Sequence, residues 1–346
     1  MKLFMKKAAS VCLAVTTAVS LLVLTGCNGN SGVSAAKTEL GEDVIHFKMA
    51  VADNDTTPYA KGAKKIAEEV EKATNGRIQI EVMAGGTLGA ERDTMELAML
   101  GSLDIVTCAN SVLTNWIPEM SILDQAFLFS NEDQAHAAVD GKVGELINKE
   151  AAKLNLHVVG YMESGFRNVF SKKPVDQIED FRGVKIRTMQ NQYHMAAFES
   201  FGAMPTSMAA GDQFTALQQG TIDACENAVS NCLTNGFYEV TKNITYTNHA
   251  FVYILVCMSD HAWKQIPDDL REPFMEGVRK GYEAERQYLK EANESAAVEL
   301  KEKGVQFYEI DNEALQAAYK EEAKKKGFTF DPEWQAAVDE AISQNP

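Results

Sequence analysis

Val44-Ile45-His46-Phe47-Lys48-Met49-Ala50-Val51-Ala52, followed one helix length later by Arg77-Ile78-Gln79-Ile80-Glu81-Val82-Met83, is the stretch that settles the class of fold. The first part is an apolar run of strand length. The second alternates Ile78, Ile80 and Val82 with polar neighbours, the two-residue period of a strand. Between them an 18-residue amphipathic helix is expected from Pro58, with Ala63, Ile66, Ala67 and Val70 on one face. Proline suits a first helical turn because its missing N–H has no intrahelical partner to lose. Asn75-Gly76 closes the helix. A second helix starts near Glu91, and a short strand follows at residues 104–108. Strand–helix–strand–helix–strand in this order predicts a parallel sheet covered by helices, with right-handed crossovers.

The alternation continues less regularly. Residues 141–154 read as a helix and 156–161 as a strand, with a second strand at 167–170 across Ser164-Gly165. A short strand at 184–187 follows the turn at Gly183. Helices at 192–201 and 212–219 precede a strand at 221–224, and residues 245–258 are again strand-like. Beyond Pro267 the pattern is helical. A helix running unbroken from Pro273 to Lys303 spans about 45 Å, long enough to brace two lobes. A break near Gly281, giving two shorter helices, is the alternative. Residues 305–307 form a minor strand, and 312–326 and 332–342 final helices. There is no tandem repeat.

The amino-terminal residues carry an address. Lys2, Lys6 and Lys7 precede an uncharged run from Ala8 to Leu24, which ends in Leu24-Thr25-Gly26-Cys27. Positive start, short apolar run and small residues before a cysteine are the features of a bacterial lipoprotein signal peptide, here 1–26, with Cys27 as the lipidated residue. An ordinary secretory peptide is the plainer alternative. Residues 27–43, rich in Gly, Ser and Asn, are expected to tether the folded body to the membrane. The formal charge of the whole chain is −16, and it becomes −19 once the three lysines of the signal segment are set aside. Such a surface disfavours nucleic acid and anionic lipid as partners. Cys108, Cys225, Cys232 and Cys257 lack a disulfide framework's spacing, Cys225–Cys232 being the nearest pair. The six histidines are scattered, and no metal site or nucleophile motif is present.

Several polar residues stand where parallel α/β lobes gather ligands, beyond the carboxyl ends of strands. Arg167 follows an apolar strand, and Arg187 ends Phe181-Arg182-Gly183-Val184-Lys185-Ile186-Arg187. A guanidinium offers a carboxylate a planar fork of donors, although Arg167 also reads as a surface arginine or one paired with Glu163, and Arg187, with Arg182 and Lys185, as a residue in solvent. Asn227 carries a donor and an acceptor and equally suits a helix cap. Gly85-Gly86-Thr87-Leu88-Gly89 reads as a tight turn without a phosphate-loop pattern. Glu91 and Arg92 behind it, and Asp212, are candidates to reach a cleft.

At these residues the chain resembles the DctP-type solute receptors of tripartite ATP-independent periplasmic (TRAP) transporters, from about residue 44 to 340. The likeness rests on Gly85–Glu91, Gly101-Ser102-Leu103-Asp104, Asp180–Arg187 and Ala216-Leu217-Gln218-Gln219-Gly220-Thr221-Ile222-Asp223, in family order. It implies an α/β fold of two lobes, like the type II periplasmic binding proteins, with mixed sheets covered by helices and a long C-terminal helix bracing both lobes. Lobe I would be mainly residues 44–165, lobe II mainly 166–255, and 256–346 the helices completing both. It further implies that Arg187 clamps a ligand carboxylate, with Arg167 as a second basic contact and Asn227 as a polar one. The ligand would be a small organic anion, a sugar acid such as a hexuronate or a C4-dicarboxylate, delivered to a membrane permease by a monomeric receptor with no cofactor.

Three departures bear on specificity. The family's Pro-Thr-Pro-Met is Pro205-Thr206-Ser207-Met208 here, and its Asp-Gly-x-Glu-Asn is Asp223-Ala224-Cys225-Glu226-Asn227. Ala210 stands where sialic acid receptors of the family place phenylalanine, which disfavours a sialic acid pocket. The competing function is a secreted carbohydrate-active enzyme, a uronate lyase or hydrolase, which would need a positioned acid–base pair in the cleft.

Overall fold

The computed structural model describes residues 44–346. The expected signal segment, Cys27 and the tether lie outside the described residues.

Two mixed sheets organise the fold. The strands are β1 (Ile45–Ala50), β2 (Ile78–Met83), β3 (Ile105–Ala109), β4 (Leu156–Phe166), β5 (Asn168–Ser171), β6 (Lys185–Thr188), β7 (Met204–Ser207), β8 (Ala224–Asn227), β9 (Asn243–Tyr246), β10 (Phe251–Ser259) and β11 (Gln306–Glu309). The first sheet runs β2-β1-β3-β10-β4 and the second β11-β9-β5-β8-β6-β7. In the first, β1 lies parallel to both β2 and β3, as the crossover pattern predicts, while β10 is antiparallel to β3 and β4. In the second, β6 is parallel to β7 and β8, and β5 is antiparallel to β8 and β9.

Two strand-to-strand connections pass between the sheets. β4 continues into β5 with Arg167 alone between them, and β9 leads into β10 through residues 247–250. The strand-like stretch 245–258 is therefore two strands in different sheets, with the first sheet's strand starting at Phe251. The expected Ser164-Gly165 turn lies within β4. Ser164 is an extra residue opposite β10, where the register shifts between Val252 and Tyr253, a bulge that bends the strand. Gly165 adopts φ +67° there, a conformation that L side chains rarely take.

Each sheet has its own apolar core. Phe47, Ile66, Val70 and Phe274 fill one face of the first sheet, and Leu123, Leu146, Tyr253 and Trp334 the other. Phe181, Phe198 and Leu315 pack on one side of the second, with Phe170, Leu217 and Leu300 on the other. The long helix is continuous over Asp268–Glu302, about 52 Å at 1.5 Å per residue. It starts before Pro273, which lies inside it, and places Phe274 and Val278 in the first core and Ala296 and Leu300 in the second. Gly281 is not a break. A Cβ on Gly281 would stand 2.5 Å from the Ile66 Cα, and one on Gly277 2.6 Å from the Val70 Cα. These glycines let the backbone approach the helix Pro58–Ala73, which has 16 residues rather than 18.

The strand expected at 221–224 lies at Ala224–Asn227, so Asn227 sits within β8 rather than capping the next helix. Cys108, Cys225, Cys232 and Cys257 are free and buried. Among the described residues no helix is long and apolar enough to cross a membrane.

Candidate functional site

A cavity of about 490 Å³ opens between the two sheets, within the usual size range of small-molecule sites. The turn after β2 and the start of the helix Glu91–Met99 form one wall, and the end of β6 with residues 208–212 forms the other. Arg187, Glu91, Arg92 and Asp212 line it, so four of the six expected ligand residues come together. Arg167 and Asn227 do not line this cavity.

Arg187 is the last but one residue of β6, which carries its side chain from the second sheet into the cavity. It is buried, and its Nε and Nη2 donate to the Met208 carbonyl at 3.1 and 2.7 Å. Its Nη1 has only a 3.8 Å approach to Glu226 Oε1, too long for a hydrogen bond. Burial lowers the Arg187 pKa, the Glu226 carboxylate works against that, and the neighbouring Arg167 adds to it. A cation in this setting gains from any further negative partner.

Arg167 differs. Its Nη2 donates to Glu226 Oε1 at 2.9 Å and to the Glu226 carbonyl at 2.6 Å, and its Nε donates to Glu226 Oε2. Its Nη1 donates to Ser164 Oγ at 3.2 Å and Asn227 Oδ1 at 3.0 Å. A guanidinium has five N–H groups, and all five are engaged. In place of the expected second carboxylate contact stands a closed internal pair. Asn227 Oδ1 also accepts from Ser164 Oγ, the Ala228 N–H and Asn231 Nδ2, so this oxygen belongs to the same internal network.

Sequence reasoning missed Glu226 and His249. Glu226 is fully buried on β8, and His249 Nε2 lies 3.3 Å from its Oε2. Burial alone would raise the Glu226 pKa; Arg167 and His249 outweigh it and hold the carboxylate well below its usual range. Burial lowers the His249 pKa, with Glu226 opposing and the neighbouring His194 and Arg167 adding to the fall. The clue available in sequence was Glu226-Asn227 itself, but nothing there identified Arg167 as its partner across β5 and β8.

The remaining wall is acidic. Glu91 Oε1 accepts from the Ala109 N–H at 2.8 Å. Desolvation raises the Glu91 pKa to about 7, the Asp53 carboxylate adding to the rise while the Ala109 N–H, Arg187 and Arg167 oppose it. Asp53, in the loop after β1, is raised by desolvation against the lowering effects of Tyr59 and the two arginines. Arg92 is exposed at the rim, over the Trp116 ring at 4.8 Å and 3.4 Å from Glu96. Asp212 is exposed at the start of the helix Gln213–Gln219 and caps it with no side-chain bond.

Hydrogen bonds join the two halves in two places. Tyr59 Oη donates to Asn231 Oδ1 at 3.2 Å, and Asn54 Nδ2 to Asn235 Oδ1 at 2.9 Å. In the second place Asn191 Nδ2 donates to Asp124 Oδ2 at 2.8 Å, and Asp124 also accepts from Asn110 Nδ2 and Thr114 Oγ1. Among the described residues no cluster of His, Cys, Asp and Glu could hold a metal ion.

Residues 49–326 match the family described as DctP, bacterial extracellular solute-binding protein, family 7. A solute-binding protein of Verminephrobacter eiseniae is 35% identical over 277 residues, 80% of this chain and 81% of that one. The C4-dicarboxylate-binding periplasmic protein DctP of Rhodobacter capsulatus is 27% identical over 80% of this chain and 83% of its own. A solved TRAP periplasmic solute-binding protein of Xanthobacter autotrophicus, with bound β-D-galacturonate, superposes with a TM-score of 0.81 at 26% identity, covering 86% of this chain and 99% of that one. With two α/β sheets facing each other across a cavity that holds an arginine with unsatisfied donors, the chain belongs to the DctP family of bacterial extracellular solute-binding proteins, the receptors of TRAP transporters.

Proposed function

We propose that this protein captures a sugar acid outside the cytoplasm and delivers it to a TRAP permease, with Arg187 holding the ligand carboxylate. The observation behind this reading is the Arg187 guanidinium, which faces the cavity with its Nη1 unbonded while Arg167 is fully engaged elsewhere. One such cation suits a monocarboxylate. The acids Glu91 and Asp212 suit the donating hydroxyls of a polyol chain and disfavour a second carboxylate. The galacturonate carried by the Xanthobacter structure has the same chemistry, one carboxylate and several hydroxyls.

Arg187 takes the carboxylate, and the opposed walls hold the rest of the molecule between them. Closure can be driven only by the ligand's preference for the closed form. Cys27 carries the lipid that keeps the receptor at the membrane surface, and the protein works as a monomer.

A thermal-shift screen of hexuronates, aldonates, C4-dicarboxylates and keto acids, followed by mass spectrometry of the bound acid, tests the reading. Stabilisation by a hexuronate or aldonate recovered intact is expected. Stabilisation by dicarboxylates alone would replace the sugar acid, and release of a converted product would favour the secreted-enzyme alternative.

A further inference from the structure

The cavity encloses more acid than base. Its lining sets Glu91, Asp93 and Asp212 against Arg92 and Arg187, and just behind it Arg167 and Arg187 act on Glu226, Asp53 and Glu91, so with these five groups ionised the inner set also carries one negative charge in excess before any ligand arrives. The pairing is uneven: the Glu226 carboxylate is matched by Arg167 through two hydrogen bonds, whereas Glu91 has one neutral donor, the Ala109 N–H. Around Glu91 stand Asp53 from the loop after β1, Tyr59 from the helix Pro58–Ala73, Cys108 from β3, Arg187 from β6 and Arg167 from the crossing strand. Arg92, Asp93 and Asp212 complete the charges lining the cavity.

An entering carboxylate takes Arg187 as its partner. It thereby withdraws part of the positive field that keeps Glu91 ionised, and adds a like charge to a partly desolvated space. Resting on the assignment of this cavity to an organic anion, we propose that ligand capture is proton-linked at Glu91: the receptor takes one proton from solvent as the anion enters, and Glu91 holds it as a hydroxyl that can donate to the ligand. Neither Asp53 nor Glu226 is as well placed. Asp53 is not among the residues lining the cavity, and Glu226 is neutralised by its own arginine.

The sign follows from the free protein. The Glu91 pKa is about 7 before binding, and the ligand's charge moves it up, so uptake occurs above pH 7. Below about pH 6 Glu91 is already protonated and nothing is taken up. A sugar acid, with a carboxyl pKa of roughly 3–4, stays ionised throughout.

The test is isothermal titration calorimetry with the panel acid that stabilises the protein most, in paired buffers of different ionisation heat. Uptake approaching one proton per ligand at pH 8, falling towards zero at pH 6, is expected, with affinity dropping by up to about tenfold per pH unit above pH 7. Glu91→Gln should flatten the profile whatever its absolute affinity. Asp53→Asn, which removes a charge that raises Glu91, should shift the onset to lower pH. A flat profile with no uptake in the intact receptor, or a slope retained in Glu91→Gln, would overturn the proposal while leaving the receptor reading in place. Failure of every acid in the panel to bind the folded protein would remove that reading and this one together.

Discussion

Arg167 and Glu226 form a closed pair, Nη2 to Oε1 at 2.9 Å, while Arg187 stands 3.8 Å from the same carboxylate with donors left over. Two arginines that look alike in sequence therefore have different surroundings: one is paired with a buried carboxylate and the other keeps donors towards the cavity.

Their substitutions should separate accordingly. Arg187→Ala is expected to weaken sugar acid binding by on the order of ten- to a hundredfold, the worth of hydrogen bonds to a charged group, with a smaller effect on unfolding. Arg167→Ala leaves Glu226 buried without its counter-ion and should destabilise the fold by roughly 3–5 kcal/mol. Calorimetric titration and urea unfolding of both variants check this. Equal loss of affinity with no loss of stability in Arg167→Ala would contradict the division.

Two buried glutamates should give opposite pH slopes. Glu226 is held below its unfolded pKa, so its contribution is complete above about pH 4.3 and is lost as the pH falls further. Glu285, on the long helix, is raised well above the usual range by desolvation, with Glu163 adding to it. The folded protein binds that proton more tightly than the unfolded chain, so stability falls as pH rises above about 4.3. Glu285→Gln should raise the melting temperature at pH 8 more than at pH 5, and thermal melts at the two pH values decide it.

Gly281→Ala sets helix propensity against packing. Alanine favours a helix by about 1 kcal/mol, but its Cβ would stand 2.5 Å from the Ile66 Cα, a backbone atom that cannot swing aside. Overpacking costs about 1–3 kcal/mol, and a net loss of stability is expected in urea unfolding. A stabilised variant would mean that the two helices separate easily.

Tyr59→Phe removes the 3.2 Å bond from Tyr59 Oη to Asn231 Oδ1, together with the hydroxyl that lowers the Asp53 pKa. If that bond helps to hold the two halves together, binding should weaken by roughly threefold to tenfold, the worth of one neutral hydrogen bond. A faster off-rate in stopped-flow fluorescence would carry the effect. An unchanged off-rate would exclude the bond from closure.

Much of the architecture is legible where a local pattern has a single reading. The alternation of Ile78, Ile80 and Val82 gives β2, and the turn at Gly183 leads into β6 and Arg187. Gly281 misleads because its role belongs to the opposing helix, whose Ile66 lies more than two hundred residues earlier. The strand at 221–224 is displaced because Asp223, whose backbone N–H is bonded to the Lys185 carbonyl, ends a turn, and pairing with β5 begins only at Ala224. The pairing of Arg167 with Glu226 is hidden in the sequence because the two become neighbours only when β5 and β8 pair, with Asn168 opposite Asn227. Asp124 and its ring of Asn110, Thr114 and Asn191 are invisible for the same reason.

The passage of β4 into β5 through the single residue Arg167, beside the return at residues 247–250, has a mechanical corollary. When one half swings against the other about these connectors, each atom travels in proportion to its lever arm. In such a swing Arg167, Glu226 and His249, on or beside the connectors, would shift least, whereas Asn54 and Asn235, bonded from one half to the other, would be drawn apart. The ion pair at the pivot can thus persist through every opening and shutting of the jaws, while the polar teeth at the edge meet and part.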